Sequence, residues 1–469
     1  MDSLLLFLTL DMVVVAAVVL MMVRYLSFWH PLTAYLFFHV YSFSYRCYLI
    51  YAGAPLMYFG ESNREMITID EVNRAMLWAD VALLMFALGA WIAHARLMAV
   101  ASRPVVRHKM NLPIVWGVGA ICLPVGAVFM FVLRAQSTVL LDTKLNGFEG
   151  YAQVFAMWPI GALGLMVFVL GFRWYLVVPV AVVLGIVALQ GYHRFMFVLP
   201  LLYFTALYLM TKRRRWPTWP IIIGALIVAL IFPRLKYVGK AVQNGDTAEA
   251  MAYISQSFDF SGKTPDVVVG VGDGFLDQYA GALTLIDENE RKFWGAPYVA
   301  ILTLPVPRAW WAGKPGLADH IKEISTSRRD YASEGRIITY LGEAYLNFGH
   351  AGLFIVPCLI GYLLTAYCLY ATSGPFARFA RYIYLVLFMA FIQMFRDGLA
   401  SLVLFTAVHN LPMLFVAVAH MLPGVARKVV DRPVSDPLSG EEEVDIRREE
   451  VRRFGAMQER RQENFRAQP

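Results

Sequence analysis

Apolar runs of about 20 residues dominate this chain, the first at Leu4–Val23 and the last ending at Leu422. A helix rises about 1.5 Å per residue, so each run can cross a hydrocarbon core roughly 30 Å thick. The runs are continuous rather than alternating, which excludes a transmembrane β-barrel. Hydrophobic residues make up 59% of the 469 and charged residues 16%. A soluble domain carries about 45–50% and about 25%. A soluble enzyme, a disordered chain and a disulfide-stapled secreted module are excluded with it. The expected fold class is all-α: a polytopic integral membrane protein of 11 transmembrane helices with one large external loop. The spans fall near 4–23, 31–52, 75–95, 112–133, 151–171, 174–191, 193–211, 217–233, 337–371, 380–395 and 398–422. No basic segment precedes the first run, so it reads as an uncleaved helix rather than a signal peptide.

Charge orders these spans. Lys and Arg concentrate in short cytoplasmic loops, and Lys212-Arg213-Arg214-Arg215 is the strongest such signal. Placing it inside puts the N-terminus outside and the C-terminus in the cytoplasm. The short loops then assigned inside (24–30, 96–111, 172–173, 211–216 and 372–381) carry 12 basic residues and no acidic ones; the short outside loops carry 6 and 7. The net charge of +7 therefore reports topology, and nucleic acid is not an expected partner. The four cysteines, Cys47, Cys122, Cys358 and Cys368, lie in apolar runs without metal-ligand spacing and read as packing residues.

Four regions follow: an N-terminal bundle of eight helices over 1–233, a large external loop over 234–336, C-terminal helices over 337–423 and a charged cytoplasmic tail over 424–469. The loop carries 12 basic and 13 acidic residues together with Trp294, Trp310 and Trp311, and is expected to fold against the membrane. The tail balances ten basic against ten acidic residues, and its stretch 441–466 reads as a solvated helix or as disorder.

Few charges remain inside the spans: Asp11, Arg46, Asp80 and Glu343. The first three share a depth of roughly 10 Å from the external surface. An isolated ion there costs a few kcal/mol, so partners are required. Arg46 is expected to pair with Asp11, Asp80 or both. The result is either a structural ion pair among the first three helices or a wall of a substrate cavity. His409, at mid-membrane, reads as a hydrogen-bonded core residue.

Two stretches could carry chemistry. In 304–315, prolines fix extended backbone and set Arg308 and Lys314 beside Trp310 and Trp311. An Arg fork suits phosphate and Lys supplies a point charge, while indole faces suit a sugar ring. The same composition also suits an interfacial belt. In 336–352, Arg336, Tyr340, Glu343, Asn347 and His350 follow helical spacing and should share one face. Glu343 is the general-base candidate, because burial moves a carboxyl toward neutrality; its alternative is a capping or ion-paired carboxylate. Arg194 and the Arg396-Asp397-Gly398 junction add cations at external helix ends, which a lipid-anchored pyrophosphate would need. No Walker A loop, His-Glu-x-x-His or metal-directed acidic motif is present.

Pro307-Arg308-x-x-Trp311-x-x-Lys314-Pro315, followed by Gly342-Glu343-x-Tyr345-x-Asn347-Phe348-Gly349-x-x-Gly352, resembles the Wzy-type O-antigen and exopolysaccharide repeat-unit polymerases. The Gly-x-x-Arg at 191–194 and the Arg396-Asp397-Gly398 junction fit the same pattern. Ala312 stands where the family often has proline, and Asp397 separates Arg396 from the usual adjoining glycine. The resemblance is specific from about residue 190 to 400 and only topological before that.

It implies an enzyme of the bacterial inner membrane, a glycosyltransferase architecturally related to the C-type glycosyltransferases and O-antigen ligases. Its substrates would be undecaprenyl-pyrophosphate-linked oligosaccharides, joined at the periplasmic face without metal, nucleotide sugar or other cofactor. Chain-length regulator and flippase proteins would be its partners. Glu343, Arg308 and Arg396 would act in catalysis. Arg194, Lys314, Arg336, Trp310, Trp311, Tyr340, Asn347, His350 and Asp397 would bind substrate. A lipid-glycan ligase and a lipid-linked oligosaccharide flippase remain the alternatives.

Overall fold

The computed structural model describes residues 2–56, 58–59, 65–101, 106–109, 112–137, 147–190, 194–231, 234–256, 274–303, 311, 338–373, 377–403, 406, 410–419 and 427–430. The described chain is helical apart from two short antiparallel ladders. One pairs β1 (Tyr58–Phe59) with β2 (Glu65–Met66), the other β3 (Val106–Lys109) with β4 (Arg427–Val430).

The N-terminal half holds α1 (Asp2–Met22), α2 (Pro31–His39), α3 (Tyr45–Tyr51) and α4 (Ile69–Ala101), with a π-helical turn at Val40–Ser44 between α2 and α3. Then come α5 (Leu112–Ser137), α6 (Gly147–Leu170), α7 (Trp174–Gln190), α8 (Arg194–Thr211) and α9 (Trp219–Ile231). By length and composition, four helical stretches suffice to cross a membrane: Ser3–Met22, Ile69–Leu97, Leu112–Met130 and His350–Thr372. Four shorter apolar stretches, Phe155–Leu170, Trp174–Ala188, Phe197–Thr211 and Trp219–Val228, accompany them. Pro124, Pro159, Pro179, Pro200 and Pro357 lie inside helices. An internal proline costs about 3 kcal/mol in a soluble helix, whereas membrane helices tolerate it. Leu6, Val13 and Leu20 on α1 and Ile121 and Val128 on α5 are exposed, an outer surface suited to lipid rather than water.

The segment expected as an external loop contributes α10 (Leu235–Gln243), α11 (Thr247–Gln256), α12 (Phe275–Asn289) and α13 (Ala296–Leu302). Of these α12 is nearly engulfed: Phe275, Leu276, Tyr279, Ala280 and Leu283 are all buried. The expected continuous span 337–371 is two helices, α14 (Tyr340–Phe348) and α15 (His350–Ser373). Gly349 separates them at φ +59°, a conformation costly for residues with a Cβ. The chain continues through α16 (Ala377–Asp397), α17 (Leu399–Val403) and α18 (Leu411–Ala419).

At the centre α4 packs along α15. Its inner face is small and regular: Ala79, Ala82, Leu83, Phe86, Ala87 and Ala90 are fully buried. Gly89 lies against the Cys358 carbonyl and Gly361 against the Phe86 carbonyl, where any Cβ would overlap backbone. Small residues let apolar helices approach this closely.

The intramembrane charges pair differently from the sequence expectation. Arg46 joins neither Asp11 nor Asp80. Its guanidinium binds Asp277 on α12, with Nε and Nη2 at 3.0 and 2.5 Å from Oδ2, and Nη2 also donates to the Pro55 carbonyl at 2.7 Å. Asp11 and Asp80 instead flank His39, whose Nε2 lies 2.7 Å from Asp11 Oδ1 and 3.5 Å from Asp80 Oδ1. Arg46 thus locks the loop helix α12 onto the N-terminal bundle.

Candidate functional site

Helix α14 starts where the Thr339 hydroxyl accepts the Gly342 N–H. That capping bond fixes the first turn and sets the direction of Glu343. The Glu343 carboxylate reaches across to the start of α17, where Oε2 accepts the Leu399 N–H at 2.8 Å. The approach depends on Gly398. Its φ is +93°, and a Cβ there would overlap Glu343 Oε2 and stand 3.0 Å from Cδ. Glu343 is therefore delivered to the Arg396-Asp397-Gly398 junction from 56 residues away.

Around that contact the polar groups form a small set. Arg396 Nε lies 3.3 Å from Asp397 Oδ1, and its guanidinium carbon sits 5.6 Å from the centre of the Phe275 ring. Gln393 donates to Asp397. Arg396 and Asp397 keep 19% and 23% of their side-chain surface open, so this pair can meet a ligand without unfolding. Glu343 is only partly exposed. It precedes the apolar stretch that begins at His350, and loss of water raises its carboxyl to about 7, although the Leu399 N–H pulls the other way. Near neutrality such a carboxyl divides between acid and base forms, the condition a general base requires.

Asn347, expected to bind substrate, is spent on the fold. It is fully buried; its Oδ1 accepts the Gly295 N–H at 2.9 Å and its Nδ2 donates to the Glu343 carbonyl at 2.8 Å. The Phe293 and Trp294 amides donate to the Leu346 and Asn347 carbonyls at 3.2 and 3.0 Å. Asn347 thus clamps the segment before α13 against the end of α14. This brings the Tyr298 phenol near Glu343, where burial and then that carboxylate's charge raise its pKa. Trp294, held by the same clamp, is 75% exposed.

The expected single polar face does not survive the break at Gly349. Tyr340 is a core residue, 1% exposed, with its ring 5.5 Å from those of Tyr35 and Phe395. His350 opens α15 and lies against Trp78 at 4.7 Å, with Nε2 3.4 Å from the Tyr345 hydroxyl. That hydroxyl donates to Asp287, which also binds Arg74 at 2.7 Å. Trp311 is exposed at 43%. Arg194 begins α8, but its side chain lies outside the described residues, as do Arg308, Trp310, Lys314, Arg336 and His409.

The sequence does not point to Phe275 beside Arg396 or to Tyr298 beside Glu343. Their only sequence signal was the aromatic content of the 234–336 segment, which says nothing about register. Among the described residues, the one group of three side chains placed to share a metal ion is Asp11, His39 and Asp80, and Glu343 is not part of it. The described site consists of a carboxylate near its midpoint at neutral pH and a partly exposed guanidinium on an aromatic wall, with the exposed Trp294 held by its backbone against the end of α14. No protein-family model, curated protein or solved structure matches this chain.

Proposed function

We propose that this chain is a membrane glycosyltransferase that joins undecaprenyl-pyrophosphate-linked oligosaccharide repeat units at the periplasmic face of the bacterial inner membrane. The observation that carries the reading is the meeting of Glu343 with the Arg396-Asp397-Gly398 junction. It seats a candidate base on the junction that also carries the cation Arg396, and a base and a phosphate-binding cation are the two functions such a transfer needs. Glu343 takes the proton from the attacking hydroxyl of the acceptor sugar as that oxygen bonds to C1 of the donor glycan. The C1–O bond to the lipid pyrophosphate breaks, and Arg396 stabilises the departing charge together with Arg194, Arg308 and Lys314. The pyrophosphate is already an activated leaving group, so alignment and electrostatics suffice. Trp294 and Trp311 offer faces for the sugars.

Contacts between distant segments support the assigned sidedness. Segments assigned to the cytoplasm meet one another. The Phe28 amide donates to the Arg215 carbonyl at 2.9 Å, the Tyr384 hydroxyl to the Trp29 carbonyl at 2.6 Å, and β3 pairs with β4. Segments assigned outside also meet: Arg74, just before the third span, binds Asp287 in the 234–336 segment. The test is product length. Lipid-linked glycans from cells with and without the protein are separated by size. Collapse of a ladder to single repeat units supports a polymerase. A lipid-linked ladder that persists without reaching its final acceptor points to a ligase. Loss of all externally exposed units points to a flippase, and either of the last two overturns the proposal.

A further inference from the structure

Once Arg46 is committed to Asp277, the two carboxylates buried in α1 and α4 are left with one imidazole between them. Asp11, His39 and Asp80 are 0%, 0% and 2% exposed. One donor atom from each lies within 4.8 Å of the other two. Neither oxygen of Asp80 makes a hydrogen bond, and the buried Ser42 hydroxyl in the adjoining π-helical turn makes none either. Buried polar groups are rarely left so, and a π-helical turn inserted in an α-helix recurs at functional sites.

Charge restricts what can complete the group. Two carboxylates that both stay ionised in a medium of low dielectric need two compensating charges. An imidazolium supplies one. A divalent cation held by a neutral imidazole and both carboxylates supplies two. The donor set narrows the choice of cation. Magnesium and calcium favour oxygen alone, whereas a nitrogen beside carboxylates suits first-row transition metals. Zinc bonds of about 2.0–2.2 Å in a tetrahedron separate donor atoms by roughly 3.3–3.5 Å. The Nε2–Oδ1 separation to Asp80, 3.5 Å, already matches, while that to Asp11, 2.7 Å, must open by about 0.6–0.8 Å to admit the metal.

We propose that Asp11, His39 and Asp80 form an intramembrane site for a divalent first-row transition metal, Zn2+ in the first instance, which staples α1, α2 and α4 together. The site also backs the wall that carries Glu343. The His39 ring lies 6.3 Å from that of Tyr35, which packs on Tyr340 at 5.5 Å and on Phe395 at 4.9 Å. The staple is independent of the glycosyl-transfer reading and would hold for a membrane protein of any activity.

The test is metal content. The full chain is purified in detergent through a tag without histidine, from cells supplied with Zn2+, Mn2+ or Co2+, and analysed by elemental mass spectrometry. About one equivalent per chain is expected in the unaltered protein, falling by about ten-fold or more in Asp80→Asn and His39→Gln. Less than a tenth of an equivalent under every supply would overturn the proposal, and so would equal metal in the unaltered protein and both variants. Because either variant could fail to fold, His39→Cys loaded with Co2+ gives a second readout. A thiolate-to-cobalt charge-transfer band, absent from the unaltered protein, places the metal at position 39. A folded His39→Cys protein that binds Co2+ without that band refutes the site.

Discussion

Gly398→Ala separates two burdens that one glycine carries. The residue sits at φ +93°, where a Cβ costs about 1–2 kcal/mol. It also makes room for Glu343, since the new methyl would overlap Oε2 and stand 3.0 Å from Cδ. Displacing that carboxylate breaks its hydrogen bond to the Leu399 N–H, 2.8 Å long. A hydrogen bond to a charged group contributes about 1.5–3 kcal/mol. The sum is a loss of about 3–5 kcal/mol when the junction cannot relax. Gly53 is the internal control: its φ is +97° with nothing within 4 Å of the site a Cβ would take, so Gly53→Ala carries only the backbone cost. Thermal unfolding in detergent should show Gly398→Ala losing at least twice the stability that Gly53→Ala loses. Transfer activity should fall only for Gly398→Ala. Equal losses in both variants would refute the close packing of Glu343 on Gly398.

Other expectations follow from the same contacts. Arg46→Leu removes the guanidinium that binds the buried Asp277 carboxylate and should cost about 3–5 kcal/mol, read from thermal unfolding in detergent; restoring most of that loss with Asp277→Leu in the same chain would show the pair acts as a unit. Asn347→Ala orphans the Gly295 N–H, so stability should fall by about 1–3 kcal/mol, and limited proteolysis should show the 293–295 segment released. The Glu343 carboxyl, raised by burial to about 7, must be ionised to act as a base, so the transfer rate should climb as pH rises through about 7. Burial favours its protonated form, so its contribution to stability should decline between pH 4.5 and about 7, and Glu343→Gln should remove both dependences. Removal of residues 432–469 spares the β3–β4 ladder and should leave transfer intact in reconstituted vesicles.

The all-helical, apolar character of the chain is legible because long apolar runs stand out, although only four of the eleven expected spans appear among the described residues as helices long and apolar enough to cross a membrane. The errors lie where local pattern and tertiary contact diverge. Helical spacing from Arg336 to His350 implies one face, yet Gly349 follows Asn347-Phe348 as a helix-ending glycine should, and that stop outweighs the periodicity. Asp11 and Asp80 stood out because charges are scarce in the spans. Their partner His39, in the second apolar run, is hidden in the sequence because a neutral histidine carries no formal charge. The Arg46–Asp277 pair spans 231 residues, and no local rule reports such a contact. Glu343 was singled out for its chemistry, but its seat against Gly398 and Leu399 depends on how α14 meets the α16–α17 junction, which only packing decides.

Glu343→Gln is the most direct test of the central claim. The amide oxygen can still accept the Leu399 N–H, so the junction and the fold should be preserved while the ionisable carboxylate is lost. Purified protein in vesicles with lipid-linked repeat units would be followed by product length and by substrate binding. Transfer is expected to fall by about 10²–10⁴-fold with binding retained. Near-normal polymer from the Glu343→Gln protein would contradict the account, leaving Glu343 as a cap for α17 and moving the base elsewhere, with Asp397 the next residue to test.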